Sequence, residues 1–418
     1  MLKTLVNAWK VADIRKKIIY TVLMLLVFRL GSHIPVPGID PNQIKNILGQ
    51  GTLFGFFDII SGGAFRDFTI FAMSIVPYIN ASIIMQLLTI AIPSLEQMAK
   101  EGEEGRKKIA QYTRYMTVVL ALIQAIGMTI GLRGAVINPN FLNLTIIVLT
   151  LTAGTSFLMW LGERITENGV GNGSSLIIFA GILARIPNMI YTTIQYVGAG
   201  TANIFGAIAF LIVILVMVVS IILMSEGQRR IPVQYAKRVV GRKVYGGQST
   251  HIPLRINMAG VIPLIFALSL LQFPQQIATF FPKSAFYAFT EKWLGTNGWI
   301  YNVLNVLLII FFTYFYTAII FNPVEISDNM KKYGGFIPGI RPGKPTTDFI
   351  TRVMNRVTFV GSIFLAVVAV LPVIMMNVTG LQLYFGGTAL LIAVGVALET
   401  MKQIEGQLIM RNYQGFLR

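Results

Sequence analysis

Along the 418 residues, long apolar runs alternate with short polar connections. Runs near 18–34, 68–92, 115–132, 142–161, 174–191, 204–224, 257–281, 299–321, 357–376 and 385–401 predict ten membrane-spanning helices, an all-α multi-pass architecture. About 20 apolar residues cross a hydrocarbon core of about 30 Å, so most of these runs are long enough. Ahead of them, Leu2, Leu5, Val6 and Trp9 share one helical face, with Lys3, Lys10, Arg15, Lys16 and Lys17 around it. That pattern predicts a short helix lying in the membrane interface. The first run ends in Gly31-Ser-His-Ile-Pro-Val-Pro37 without a small-residue cleavage site, so it is expected to remain a permanent span.

A polar break near 192–203 divides the spans five and five, giving halves at 1–196 and 197–418. An odd number per half makes the halves run oppositely through the bilayer, as in inverted repeats. The second span of each half carries an echo of the other: Pro77, Ile79, Ala81 and Gln86 match Pro263, Ile265, Ala267 and Gln272 at the same spacing. A mid-span proline frees a carbonyl and a glutamine needs a partner. Both segments should therefore face protein or water rather than lipid.

The stretch Leu53 to Asp67 is apolar but too short to cross, and it is interrupted by Gly62-Gly63 and by Asp58, Arg66 and Asp67. Two placements fit, a helix lying on the outer surface or a re-entrant half-helix in a cavity. Pattern alone does not choose between them.

Composition narrows the chemistry. Mean hydropathy of +0.69 and 12% charged residues exclude an ordinary soluble domain. The net charge of +17 therefore sits in connections. Most Lys and Arg fall in the N-terminus, 93–114, 225–256, 322–356 and the tail. The opposite side holds only Lys45, Arg66, Arg133, Arg185, Lys283 and Lys292, and Arg29 lies within the first span. Positive charge stays in the cytoplasm, so both termini should face inward. There is no cysteine, and His33 and His251 are expected on opposite sides, which leaves no metal or haem site and no cofactor. Ionisable relays of the kind that ion-coupled carriers keep in their spans are absent from the sequence, as are HExxH and GxSxG motifs. Gly339-Ile-Arg-Pro-Gly-Lys-Pro345 has the wrong glycine spacing for a phosphate loop and reads as a rigid turn; Gly169-Val-Gly-Asn-Gly173 reads as a tight turn into the fifth span.

Two long cytoplasmic connections remain. In 225–256, Ile231, Val233 and Tyr235, and then Ile252, Leu254 and Ile256, alternate with polar or small neighbours around a basic, glycine-containing tip. Period-two alternation on both sides predicts a protruding hairpin or extended arm. The second connection, 322–356, carries Lys331, Lys332 and Arg341. Charge this extended suits ribosomal RNA phosphates or an acidic motor surface.

The chain resembles the SecY family, the central subunits of the bacterial protein-conducting channel, from end to end. The resemblance is carried by Pro77-Tyr-Ile-Asn-Ala-Ser-Ile-Ile-Met-Gln-Leu-Leu88, by Glu101-Gly-Glu-Glu-Gly-Arg-Lys-Lys-Ile-Ala-Gln-Tyr-Thr-Arg-Tyr115 and by Gly169 to Gly173. It continues through Gly227-Gln-Arg-Arg-Ile231, Tyr235-Ala-Lys-Arg238, Asn257-Met-Ala-Gly-Val-Ile-Pro263, Phe336-Ile-Pro-Gly-Ile-Arg-Pro-Gly343 and Tyr384-Phe-Gly-Gly-Thr388. It implies two five-helix halves around an hourglass pore. The aliphatic waist falls on Ile75, Ile79, Ile178, Ile182, Ile265 and Ile392. A short re-entrant plug helix at 53–67, with Phe54, Phe57, Ile60, Gly62 and Gly63, resolves the earlier tie. The second and seventh spans become the lateral gate, with Asn80, Gln86, Asn257 and Gln272 as candidate polar contacts.

By the same resemblance, Arg229, Arg230, Lys237, Arg238, Arg242, Lys243 and Arg341 hold the SecA motor or the ribosome. SecE is an obligate partner and SecG a peripheral one. Signal sequences, translocating polypeptides and membrane lipid are further partners, and the chain itself binds no nucleotide. The expected function is passage of unfolded polypeptide across a bacterial plasma membrane and sideways release of membrane segments. The alternative is a secondary transporter of a small solute, which can share an inverted five-helix repeat; a membrane-embedded enzyme is a third class.

Overall fold

The computed structural model describes residues 2–40, 43–44, 61–199, 203–235, 238–240, 243–245, 249–281, 284–295, 298–379 and 387–416. It is helical with a small extramembrane sheet. In chain order the helices are α1 (Leu2–Lys10), α2 (Ala12–Gly31), α3 (Val76–Ala91), α4 (Pro93–Lys100), α5 (Glu103–Gly131), α6 (Phe141–Asn168), α7 (Gly173–Gly198) and α8 (Ile204–Glu226). After α8, which opens the second half, come α9 (Ile262–Thr279), α10 (Ala285–Trp293), α11 (Trp299–Ile320), α12 (Pro323–Lys332), α13 (Lys344–Thr379) and α14 (Gly387–Phe416).

By length and composition, α5, α6, α7, α8, α11 with α12, and α13 can each cross a membrane, and α3 with α4, bent by 100°, adds a further span if the pair is taken as one. The more charged α2 and α14 and the shorter apolar α9 occupy the remaining predicted runs. The ten-span reading is thereby accounted for. Apolar side chains cover the outside of the bundle: Leu211, Leu215 and Leu223 of α8 are each more than half exposed. On a chain of this composition such a surface faces lipid.

Two predicted spans need correction. Residues 68–75 are turns, not helix, and helix begins only at Val76; likewise 257–261 precede α9 as bends and turns. Pro77 and Pro263 are therefore not mid-span breaks. Each is the second residue of its helix, where a missing N–H costs nothing. The four matched pairs of the sequence echo consequently sit at equivalent helix positions. The irregular stretch before α3 can exist at membrane depth because protein encloses it: Phe68, Phe71, Ala72, Met73 and Ser74 are all buried. Gly154 admits it, since a Cβ there would stand 1.9 Å from the Ile70 carbonyl oxygen.

The expected arm is a hairpin. β1 (Gln228–Tyr235) and β4 (Ser249–Arg255) pair antiparallel, with Ile231 opposite Ile252 and Arg229 opposite Leu254. Toward the tip, β2 (Arg238–Val240) pairs with β3 (Lys243–Tyr245). The two long connections are not separate arms, however. β5 (Gly335–Phe336), from the second connection, adds to β1 and makes a sheet of order β4-β1-β5. Ile231, Val233 and Leu254 of the hairpin share one apolar core with Met330, Ile337 and Ile350. At 36 residues, α13 is about 54 Å long, which carries it beyond the bilayer to support this sheet.

Candidate functional site

The six isoleucines come from α7, α9 and α14 and from the start of α3, and they belong to one apolar cluster. Ile178, Ile182 and Ile392 are buried within it, and Ile79 and Ile265 pack against that cluster while partly exposed. Ile75 and Ile79 are joined by the first helical bond of α3, Ile79 N–H to the Ile75 carbonyl at 3.1 Å. Ile75 differs from the rest. It caps α3, is fully buried, and its terminal methyl abuts Gly162 of α6 alongside Ile177. None of the six is among the exposed apolar residues.

Of the plug residues, Phe54, Phe57 and Ile60 lie outside the described residues. Gly62 and Gly63 form a turn with φ of +66° and +94°, which favours glycine. The Gly62 backbone touches α7, where a Cβ would lie 2.7 Å from Gly181 Cα, one residue before Ile182. After this turn the chain is locked by aromatic packing: Phe65 against Phe68 at 6.0 Å between ring centroids, and Phe71 stacked on Phe28 at 6.1 Å and on Phe157 at 5.9 Å.

The seam between the halves is where α9 meets α3 and α5. Asn80 is buried with neither amide atom hydrogen-bonded among the described residues, and Gln272 Nε2 and Asn257 Oδ1 are likewise buried without a partner. Asn257 lies ahead of α9, in the turn the sequence assigned to the span. A bond that crosses the seam joins Gln124 Nε2 of α5 to Gln276 Oε1 of α9 at 2.9 Å. One turn further on, Gly127 lets the Phe280 ring approach, since a Cβ there would stand 2.6 Å from it. A lone amide in the apolar third run was the available signal for Gln124. Gln86 instead lines a cavity of about 480 Å³ with Tyr78, Ser82, Phe266 and Tyr316, bounded by helices of both halves.

On the sheet side, Arg229, Arg230 and Arg341 are exposed. Arg238 and Lys243 lie in the β2–β3 pair, and Lys237 and Arg242 fall outside the described residues. The Arg341 loop is held at both ends: Thr346 Oγ1 donates to the Arg341 carbonyl at 2.8 Å, and Ser327 Oγ to that of Gly343 at 3.0 Å. Its glycines Gly339 and Gly343 have φ of +81° and +99°, so the expected rigid turn is present. No cluster of potential metal ligands occurs among the described residues.

The SecY family model matches residues 69–401. A protein translocase subunit SecY from Halalkalibacterium halodurans is 52% identical, with the whole of both chains aligned. The chain belongs to the SecY family. Its fold matches that of a solved protein-conducting channel with a TM-score of 0.68 at 19% identity, covering 93% of this chain and 91% of that one. Sec61 from a canine ribosome–channel complex of the endoplasmic reticulum matches with a TM-score of 0.64 at 17% identity over the same shares.

For a SecY-family chain the arrangement has a plain chemical meaning. The six isoleucines, drawn from both halves, offer no hydrogen bond to a passing chain and no ligand to an ion. A polar bond across the seam, such as Gln124 to Gln276, is modest in energy. The sheet projects cation-bearing strands on a rigid base.

Proposed function

We propose that this chain is the pore-forming subunit of a protein-translocation channel in a bacterial plasma membrane, with both termini in the cytoplasm. Unfolded secretory polypeptide passes the collar of Ile79, Ile178, Ile182, Ile265 and Ile392, with Ile75 bracing its α6 side. Membrane segments leave sideways between α3 and α9. The plug at 53–67 closes the collar from outside. The observation that carries this reading is that the six isoleucines, from both halves, fall within one apolar cluster of a SecY-family fold. A carbon-only constriction excludes ions yet grips no side chain, the property needed to thread any sequence.

The chain performs no catalytic step; work comes from outside. Arg229, Arg230, Lys237, Arg238, Arg242, Lys243 and Arg341 receive the SecA motor or ribosomal RNA, and SecE and SecG complete the complex. The union of both connections in one sheet supports a single docking platform for these partners. A small-solute transporter is not favoured, since family membership points away from it.

The test is reconstitution. The complex in liposomes, given SecA, ATP and a presequence-bearing protein, is expected to sequester that protein from added protease. Solute uptake without motor or ATP, and no protein sequestration, would contradict the reading.

A further inference from the structure

We infer that Arg29 is a positioning residue of the seal: its guanidinium holds the Gly62 turn, the root of the plug segment, against α7 beside Ile182. The functional consequence rests on the channel reading above; the structural claim does not.

Arg29 lies on the last turn of α2, between the buried Phe28 and Leu30, which is 73% exposed. A cation near the end of a span ordinarily extends to the headgroups. Arg29 turns inward instead, half-buried, and its Nη1 donates to the Gly62 carbonyl at 3.3 Å. A positive charge at the outer end of the first span also works against the charge bias that orients the chain, so topology does not account for it. A local task does.

That task is visible in the packing. Gly62 is clasped from two directions: a Cβ on it would stand 2.7 Å from Gly181 Cα, 2.9 Å from the Gly181 oxygen and 3.1 Å from Arg29 Nη1. The turn is thus in backbone contact with the residue preceding Ile182, and Arg29 closes over it. Ser61 is fully buried, and its Oγ accepts from the Phe65 N–H at 3.1 Å. The chain beyond is anchored by the buried Phe65 and Phe68.

The chain has no cysteine, so Ser61→Cys supplies a single reporter thiol. The purified complex in nanodiscs is exposed to a water-soluble maleimide, with Arg29 intact or changed to Ala or Lys, after gel filtration confirms equal assembly. Labelling of a buried thiol reports local opening, and about a ten-fold acceleration is expected for Arg29→Ala, with less for Arg29→Lys. Rates within about two-fold of each other would overturn the positioning role. Resting ion flux through proteoliposomes is measured beside it. Faster labelling with raised flux supports the seal function, whereas faster labelling with unchanged flux overturns it. If the complex with Arg29 intact translocates no protein, the channel reading fails, and the labelling result still decides the Arg29 contact.

Discussion

Gln124 of α5 and Gln276 of α9 share a hydrogen bond of 2.9 Å that ties the first half of the chain to the second. It lies where α9 meets α5, beside the proposed exit between α3 and α9. Interhelical polar bonds in membranes are worth about 0.6–2 kcal/mol, enough to bias closure without locking it. Gln124→Leu and Gln276→Leu should each ease passage of precursors with weakened signal sequences. The double variant should show non-additivity of about 0.5–1.7 kcal/mol when the rates are converted to free energies. Strict additivity would mean that the bond does not restrain the seam.

The collar predicts a split among its members. Ile79→Gly and Ile182→Gly should raise resting ion conductance, measured across planar bilayers, because water follows polar backbone into the constriction. Ile75→Ala should act mainly on stability. Its methyl packs against α6, so its removal leaves a cavity costing about 2–4 kcal/mol and lowers the melting temperature with little added conductance.

Gly154 tests the enclosed turn before α3. A Cβ there would collide with the Ile70 carbonyl, so Gly154→Ala should destabilise the protein by about 1–3 kcal/mol or more. Thermal melting of the purified complex measures this, and an unchanged midpoint would contradict the packing of 68–75.

Arg341→Glu addresses the platform. The loop is braced by Thr346 and Ser327, so the fold should tolerate the change while motor-driven translocation falls. Vesicle assays of SecA-dependent transport, set against the amount of chain inserted in the membrane, separate the two. Equal loss of both would mean that the charge only orients the chain.

Much of this organisation is legible in the sequence because each span must be apolar over its full length, and the hairpin because Ile231, Val233 and Leu254 keep a period of two. The rest was hidden for physical reasons. Residues 68–75 read as helix since their burial demands apolar side chains whatever the backbone does, and Pro77 then looked like a kink rather than a start. The joining of the two cytoplasmic connections depends on β5, only two residues long and below any pattern. Asn80 and Gln272 drew attention as polar residues in gate helices. Which amide meets which is set by helix rotation, and that chose Gln124 with Gln276.

The central claim is that polypeptide travels past the aliphatic cluster. It is tested most directly by arresting a translocating chain with one cysteine at mid-membrane depth and placing a single cysteine in this cysteine-free protein at Ile79, Ile182 or Ile265, or at the lipid-exposed Leu149 or Leu215. Disulfide formation with the cluster positions, and none with the two leucines, is the predicted result. Cross-linking to the leucines while the cluster stays silent would contradict the account.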